Sequence, residues 1–448
     1  MSNYSLAELE YWDRRIVELV QAEGLDCYPQ EFDLVSFEQM IGYEAYTGMP
    51  SRYPHWSFGK AWERINTYYG YALSGLPYEM VINSNPCLAY LMKDNTLALQ
   101  ILTMAHVYGH NDFFKNNRLF TALTRAETTM EMFKGHADRV RAYTGDPAIG
   151  YEQVEKVLDA AHSLRLQSDR HLGIKKLSLN EQKERLRQAA HPPESPYPEL
   201  VPREKWVEPD LNRVPLEPEY DLLNFIQTYG ELEEWERDLI TIVHEETSYF
   251  LPQIETKIMN EGWASYWHYR LLNRLQLEPE LQVEFFMRHN MVIRPVVGSL
   301  NPYHMGFVIF KYLEEKEGTE FIKSIRQTER DASFIRRFLT IEMARELDLF
   351  EYMRRGKNLV VTEVADEEGF KKIRETLASK TGLGMVPQIK VAEVTRERSL
   401  VLEHDFDGRE IELEYAQKTV ENLARLWKRK VILKTIVNRQ ALILKSDP

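Results

Sequence analysis

Eight of the chain's twenty prolines fall between positions 191 and 218. Proline fixes φ and has no N–H to donate, so this stretch can be neither regular helix nor central strand. The residues before it, 175–190, are densely charged. The whole of 175–220 therefore reads as a long surface excursion from a larger domain, because chemically interesting motifs lie on both sides of it. Helical spacing of apolar residues marks 6–23, 126–141, 221–229, 232–245, 257–275 and 306–317. Between the first two, nine aromatics crowd 42–71, either as a core under irregular loops or as a wall of a substrate cleft.

The pattern changes near Gly356. Residues 359–364 and 388–394 read as strands around a helix at 366–380. Asp407-Gly408 signals a hairpin between 399–406 and 409–414. A helix at 416–427 and strands at 431–437 and 441–444 follow. The expected organisation is a large helical domain over 1–355 and a small α+β domain over 356–448.

The 448 residues carry a net charge of −13, which argues against nucleic acid as the main partner. Only two cysteines are present, Cys27 and Cys87, so thiolate zinc sites, iron–sulfur clusters and a disulfide framework are excluded. The first residues lack a basic run followed by an apolar stretch, and no window approaches the roughly 18 apolar residues of a spanning helix. A cytoplasmic chain with no signal peptide and no membrane span is expected.

With cysteine ruled out, a metal must be held by histidine and carboxylate. His106-Val107-Tyr108-Gly109-His110 places two imidazoles one helical turn apart on one face. This is the spacing of the zincin His-Glu-x-x-His helix, but Val107 stands where the general base would be. Asn260-Glu261-Gly262-Trp263-Ala264 resembles the helix that supplies the carboxylate ligand in gluzincin metallopeptidases. The expected metal set is His106, His110 and Glu261, holding a divalent ion, zinc first, with iron or manganese as alternatives. In gluzincins the ligand Glu follows the histidine pair closely, whereas Glu261 follows His110 by 151 residues. Glu131, 21 residues after His110, competes with it for the ligand and base roles. Glu131 and Glu245 are the candidate bases. His55, Asp112, His244, His268 and His304 are candidates for substrate contact or support of the ligands, each with a plain structural alternative such as a helix cap or a solvated face. No Walker A, Gly-x-Gly-x-x-Gly, Gly-x-Ser-x-Gly or Glu-x-x-His occurs, so nucleotide, α/β-hydrolase and ferritin-like di-iron readings have no support.

The segments Gly48-Met49-Pro50-Ser51-Arg52-Tyr53-Pro54-His55-Trp56-Ser57-Phe58-Gly59-Lys60, Val81-Ile82-Asn83-Ser84-Asn85-Pro86, 106–117 and 257–268 closely resemble the stage V sporulation protein R (SpoVR) family. The resemblance covers nearly the whole chain. It implies an association with the spore cortex, a peptidoglycan layer, or with stress response. It also implies partners: a serine protein kinase of the AAA+ type and a protein with a von Willebrand factor A-like domain. It supplies no reaction.

The expected fold is thus mainly α with a zincin-like helical core, a His-x-x-x-His helix plus an Asn-Glu-Gly helix, followed by the small α+β domain. Two functions stand side by side. One is a metal-dependent hydrolase of peptide or cell-wall-related amide bonds. The other is a non-catalytic regulator or scaffold acting with the kinase and its companion, for which Val107 is the main argument.

Overall fold

The computed structural model describes residues 4–70, 79–170, 172–173, 175–190, 209–295, 300–349, 351–355, 358–363 and 367–448. In chain order the elements are α1 Leu6–Ala22, β1 Gln30–Val35, α2 Phe37–Ala45, α3 Trp56–Gly70, β2 Glu79–Ile82, β3 Cys87–Met92, α4 Leu97–Asn116, α5 Arg118–Leu123, α6 Thr129–Gly145, α7 Tyr151–Leu164, α8 Leu179–Ala190 and α9 Leu222–Tyr229. They continue with α10 Glu234–Glu255, α11 Lys257–Arg274, α12 Pro279–Val292, α13 Pro302–Glu317, α14 Thr319–Thr328, α15 Asp331–Phe338, α16 Ile341–Glu346, β4 Glu351–Arg355, β5 Asn358–Glu363 and α17 Glu367–Ser379. Last come β6 Ile389–Val394, β7 Leu400–His404, α18 Leu413–Trp427, β8 Val431–Val437 and β9 Gln440–Ser446. The chain is mainly helical, with a small α+β sheet at its C-terminal end. Residues 191–208, the heart of the proline-rich stretch, and 356–357, where a domain division was expected, lie outside the described residues. Helix α8, before the prolines, buries none of its side chains.

Two compact units form, one of residues 1–146 and 248–385, the other of 147–247 and 386–448. In the first, α4 and α13 pack on α11 at very close range, and small residues make this possible. A Cβ on Gly109 of α4 would lie 2.6 Å from the Cα of Ala264 on α11. A Cβ on Gly262 would lie 2.3 Å from the Cα of Gly306 on α13. Around this contact Trp263, Trp267, Phe310 and Phe334 fill the core. The N-terminus of α11 is held from outside the helix: Asp331 accepts hydrogen bonds from the Ile258 and Met259 N–H groups at 2.8 and 2.9 Å. It satisfies donors that every helix start leaves open.

The domain over 1–355 reads from sequence as helical, but its N-terminal part also contains a three-stranded sheet of order β1-β3-β2. β1 runs parallel and β2 antiparallel to β3. The sequence hid it because Cys87–Met92 is a short, almost fully buried apolar run without alternation. Such a run does not separate strand from buried helix.

In the second unit the sheet order is β6-β7-β8-β9. The hairpin expected at Asp407-Gly408 is not formed. β7 ends at His404, and residues 409–412 lead into α18, whose N-cap Glu412 accepts from the Glu414 and Tyr415 N–H groups. A capping carboxylate thus turns an apparent strand alternation into a helix start. The hairpin forms instead between β8 and β9. Trp427 of α18 stacks on Phe225 of α9, with ring centroids 5.9 Å apart. Among the described residues no helix is long and apolar enough to cross a membrane.

The close packing of α11 is testable. Gly262→Ala must push backbone against backbone and is expected to destabilise the chain by about 1–3 kcal/mol in urea unfolding. Gly135→Ala, in α6 with open space at its Cβ position, is the control and is expected to be neutral or stabilising.

Candidate metal centre

Every residue of α4 from Ala98 to Phe114 is buried. A helix buried all round must find a partner for each polar side chain it carries, since an unpaired buried polar group is costly. Asp112 pairs with Arg326 at 2.6 Å and accepts from the Trp263 indole at 2.8 Å and the Asp26 N–H at 2.8 Å. Asn111 accepts from the Tyr28 N–H and donates to Tyr28 O and Gln30. Both side chains lock α4 to its neighbours, so Asp112 has a structural part.

The two histidines follow the same accounting up to a point. His110 Nδ1 lies 2.9 Å from Asn260 Oδ1, which can only accept through that oxygen. The Nδ1 therefore carries the proton, and Nε2 is left as a bare lone pair. His106 Nδ1 lies 2.9 Å from His268 Nδ1, and His268 Nε2 lies 2.7 Å from His289 Nδ1. With the proton of His106 on Nδ1, this row of three imidazoles is satisfied in one direction. Either direction of the row leaves the Nε2 of His106 outside it, turned toward the carboxylates. Fixing a ligand histidine through its second nitrogen is how proteins orient imidazoles toward metal.

The two Nε2 atoms face carboxylates. His106 Nε2 is 3.6 Å from Glu79 Oε1 and 3.8 Å from Glu261 Oε2. His110 Nε2 is 3.6 Å from the same Glu261 oxygen. These separations are too long for hydrogen bonds. They are close to the roughly 3.3 Å between donors that share one tetrahedral ion at zinc bond lengths. Donor atoms of Glu79, His106 and His110 all lie within 4.8 Å of one another. This set fits a divalent cation; nothing in it selects zinc over iron or manganese. The Tyr303 ring stacks on His106 at 6.2 Å, and the charge of Glu261 with burial pushes its hydroxyl well above the ordinary range.

Charge follows the same layout. Burial raises Glu79 above the ordinary carboxylate range, against the pull of His106. Burial would raise Glu261 too, but His106 and His110 outweigh it and hold it low. Burial works to lower His106, and the Glu261 and Glu79 carboxylates outweigh it and hold it up. Burial, helped by the His106 charge, depresses His110 and His289 to about 4 and His268 well below its ordinary value.

Of the residues singled out from the sequence, His106, His110, Glu261 and His268 come together. Glu131 is exposed in the first turn of α6. His55 is buried at the start of α3 with Nδ1 2.7 Å from Ser57 Oγ. His304 sits in the first turn of α13, where Asn301, not His304, is the cap. Glu245 and His244 belong to the second unit, Glu245 exposed and His244 paired with Asp221 at 2.8 Å. Glu79 and Tyr303 were missed. Tyr303 adjoins the noticed His304, and Glu79 opens a strand that periodicity did not reveal.

A mainly helical protein with a buried His–Glu cluster suited to a divalent metal is the class that fold and site define. Residues 3–386 match the family described as SpoVR like protein, and residues 387–438 match the SpoVR-like C-terminal domain. The chain belongs to the SpoVR family. It is 34% identical over 466 residues to a protein of Escherichia coli (strain K12) named Uncharacterized protein YcgB, an alignment covering 94% of this chain and 89% of that one. No solved structure matches it.

Two outcomes are expected. His268→Ala removes the partner of His106 Nδ1 and weakens metal binding by about 10–100-fold in chelator competition. In the metal-stripped chain, His110, His268 and His289 bind protons less readily folded than unfolded. Their contribution to stability is full above about pH 6.5 and is lost as pH falls toward about 4. His106, held up, acts in the opposite sense but is outnumbered. Urea midpoints should therefore fall between pH 6.5 and 4.

Proposed function

We propose that this chain is a metal-dependent hydrolase of peptide or cell-wall-related amide bonds, with a zincin-like core. The observation that carries the reading is the convergence of the Nε2 atoms of His106 and His110 with two carboxylates of opposite tuning. His106, His110 and Glu261 would hold the ion, zinc first. Glu79 takes the base role for which Glu131 and Glu245 were candidates, and so replaces the Glu absent at position 107. A divalent ion there would lower the pKa of bound water and polarise a carbonyl. Burial raises Glu79 above the ordinary carboxylate range, the direction that favours accepting a proton. It would take a proton from the attacking water and return it to the departing amine as the C–N bond breaks. Two carboxylates pushed apart in pKa divide the ligand and base roles between them. The spore-cortex association of the family motivates the cell-wall amide as substrate.

The competing proposal, a scaffold working with an AAA+ type kinase and a von Willebrand factor A-like protein, draws on Val107 and on the count of four donors. It requires a closed site in which Glu79 is a fourth ligand. Elemental analysis separates the two. His110→Ala and Glu261→Gln are expected to lose the metal. Glu79→Gln is expected to keep it while abolishing hydrolysis across a panel of peptides and stem-peptide amides. Loss of metal in Glu79→Gln as well favours the closed, non-catalytic site, and a metal-free wild type overturns both roles for it.

A further inference from the structure

A row of three imidazoles leads away from the metal centre. His106 Nδ1 lies 2.9 Å from His268 Nδ1, and His268 Nε2 lies 2.7 Å from His289 Nδ1 on α12. All three residues are buried, at 3%, 0% and 2% exposure, so each ring depends on its neighbours for partners. Two ring nitrogens at such a separation share one proton, with one ring donating and the other accepting. A neutral imidazole has one donor and one acceptor, so the choice made by one ring dictates the next. The row therefore runs in one of two directions. In the first, His106 donates to His268 and His268 donates to His289. In the second, His289 donates to His268 and His268 donates to His106. Both directions hold three protons, so reversal involves no net gain or loss of a proton.

The two directions differ at the metal end. His106 turns Nε2 toward Glu79 and Glu261, at 3.6 and 3.8 Å. That nitrogen can ligate a cation only as a lone pair, which places the His106 proton on Nδ1 and makes His106 the donor. His268 must then accept at Nδ1 and donate from Nε2. His289 in turn must accept at Nδ1 and carry its own proton on Nε2. The second direction puts the proton on His106 Nε2 and refuses the ion. The far end does not impose a direction. Among the described residues the hydrogen bond of the His289 ring is the one to His268. The rest of its surroundings are aromatic, with the Tyr269, Phe307 and Phe285 rings at 4.8, 5.1 and 6.0 Å. We propose that His289 is a positioning residue for the metal, acting through His268, and that its tautomer and the occupancy of His106 Nε2 set each other. The coupling is reciprocal, as any linkage between two sites must be. The proposal rests on the metal reading of the centre and deepens it: a residue two side chains from the ion, on a third helix, decides whether His106 can bind it.

The test uses the full-length protein loaded with zinc and isotope-labelled at its histidine ring nitrogens. Ring nitrogen resonances separate a protonated nitrogen from a bare lone pair, and the pair lost in His289→Gln identifies His289. In the zinc-loaded chain His289 is expected to be bare at Nδ1 and protonated at Nε2. Zinc affinity is then measured by chelator competition. His289→Gln, whose amide oxygen can accept from His268, is expected to stay within about twofold of the wild type. His289→Leu accepts nothing and strands the His268 N–H, so it is expected to weaken zinc by about fivefold or more. A protonated Nδ1 on His289 in the zinc-loaded chain overturns the proposal. So do equal zinc affinities for the Gln and Leu variants, whether both match the wild type or both fall, since a packing role alone would not distinguish them. These outcomes leave the metal centre standing. If His289→Leu does not fold, the ring resonances of the wild type decide. A wild type that binds no zinc, or Glu261→Gln binding it as tightly as the wild type, overturns the metal reading and this proposal with it.

Discussion

Everything at the centre depends on how near α11 comes to α4 and α13. Helices with ordinary side chains at the crossing keep their axes about 8–10 Å apart. Here Gly109 meets Ala264, and Gly262 meets Gly306, with no room for a Cβ at either glycine. That approach brings Glu261 within 3.6 and 3.8 Å of the two imidazoles of α4. It also puts Asn260 within hydrogen-bond reach of His110 and His268 within reach of His106. Larger residues at these crossings would separate the donors of any shared ion before touching a single ligand.

The second constraint is burial. α4 is enclosed along most of its length, so its polar side chains depend on neighbouring elements for partners; among the described residues Asn111 and Asp112 find them, while Thr103 Oγ1 and Gln100 Oε1 do not. Asp112 is answered by Arg326 and Trp263, which fixes the rotation and depth of α4 against α11 and α14. The histidines are answered only at Nδ1. The same enclosure that forces pairing elsewhere leaves two nitrogens turned toward two carboxylates, a local arrangement better matched to a cation than to protons alone. The row His106–His268–His289 extends this control to α12, so that the orientation of one imidazole is shared among three helices.

Much of this was legible in the chain. The i, i+4 histidines on an apolar helix and the lack of cysteine ligands pointed to a His–carboxylate site at His106 and His110, and the donor cluster there includes Glu79. His268, two turns beyond Glu261, was legible for the same reason of helical phase. Glu79 was not, because its strand is four residues long and gains its identity from pairing with β3. Tyr303 was passed over because nothing in local sequence distinguishes a tyrosine that reaches a neighbouring helix from one that fills space. The reverse error occurred at 409–414, where strand-like alternation lost to the capping carboxylate of Glu412.

Local rules therefore determined a good deal: that several long segments are helical, and that any metal must be bound by imidazole and carboxylate. Those follow from periodicity and ligand chemistry, each of which is written in neighbouring residues. Which carboxylates complete the site was decided only in three dimensions. Glu79 and Glu261 lie far apart along the chain and meet because a strand edge and a glycine-lined helix converge on one buried face. Sequence spacing does not encode that distance. It is set by how closely the backbones can approach.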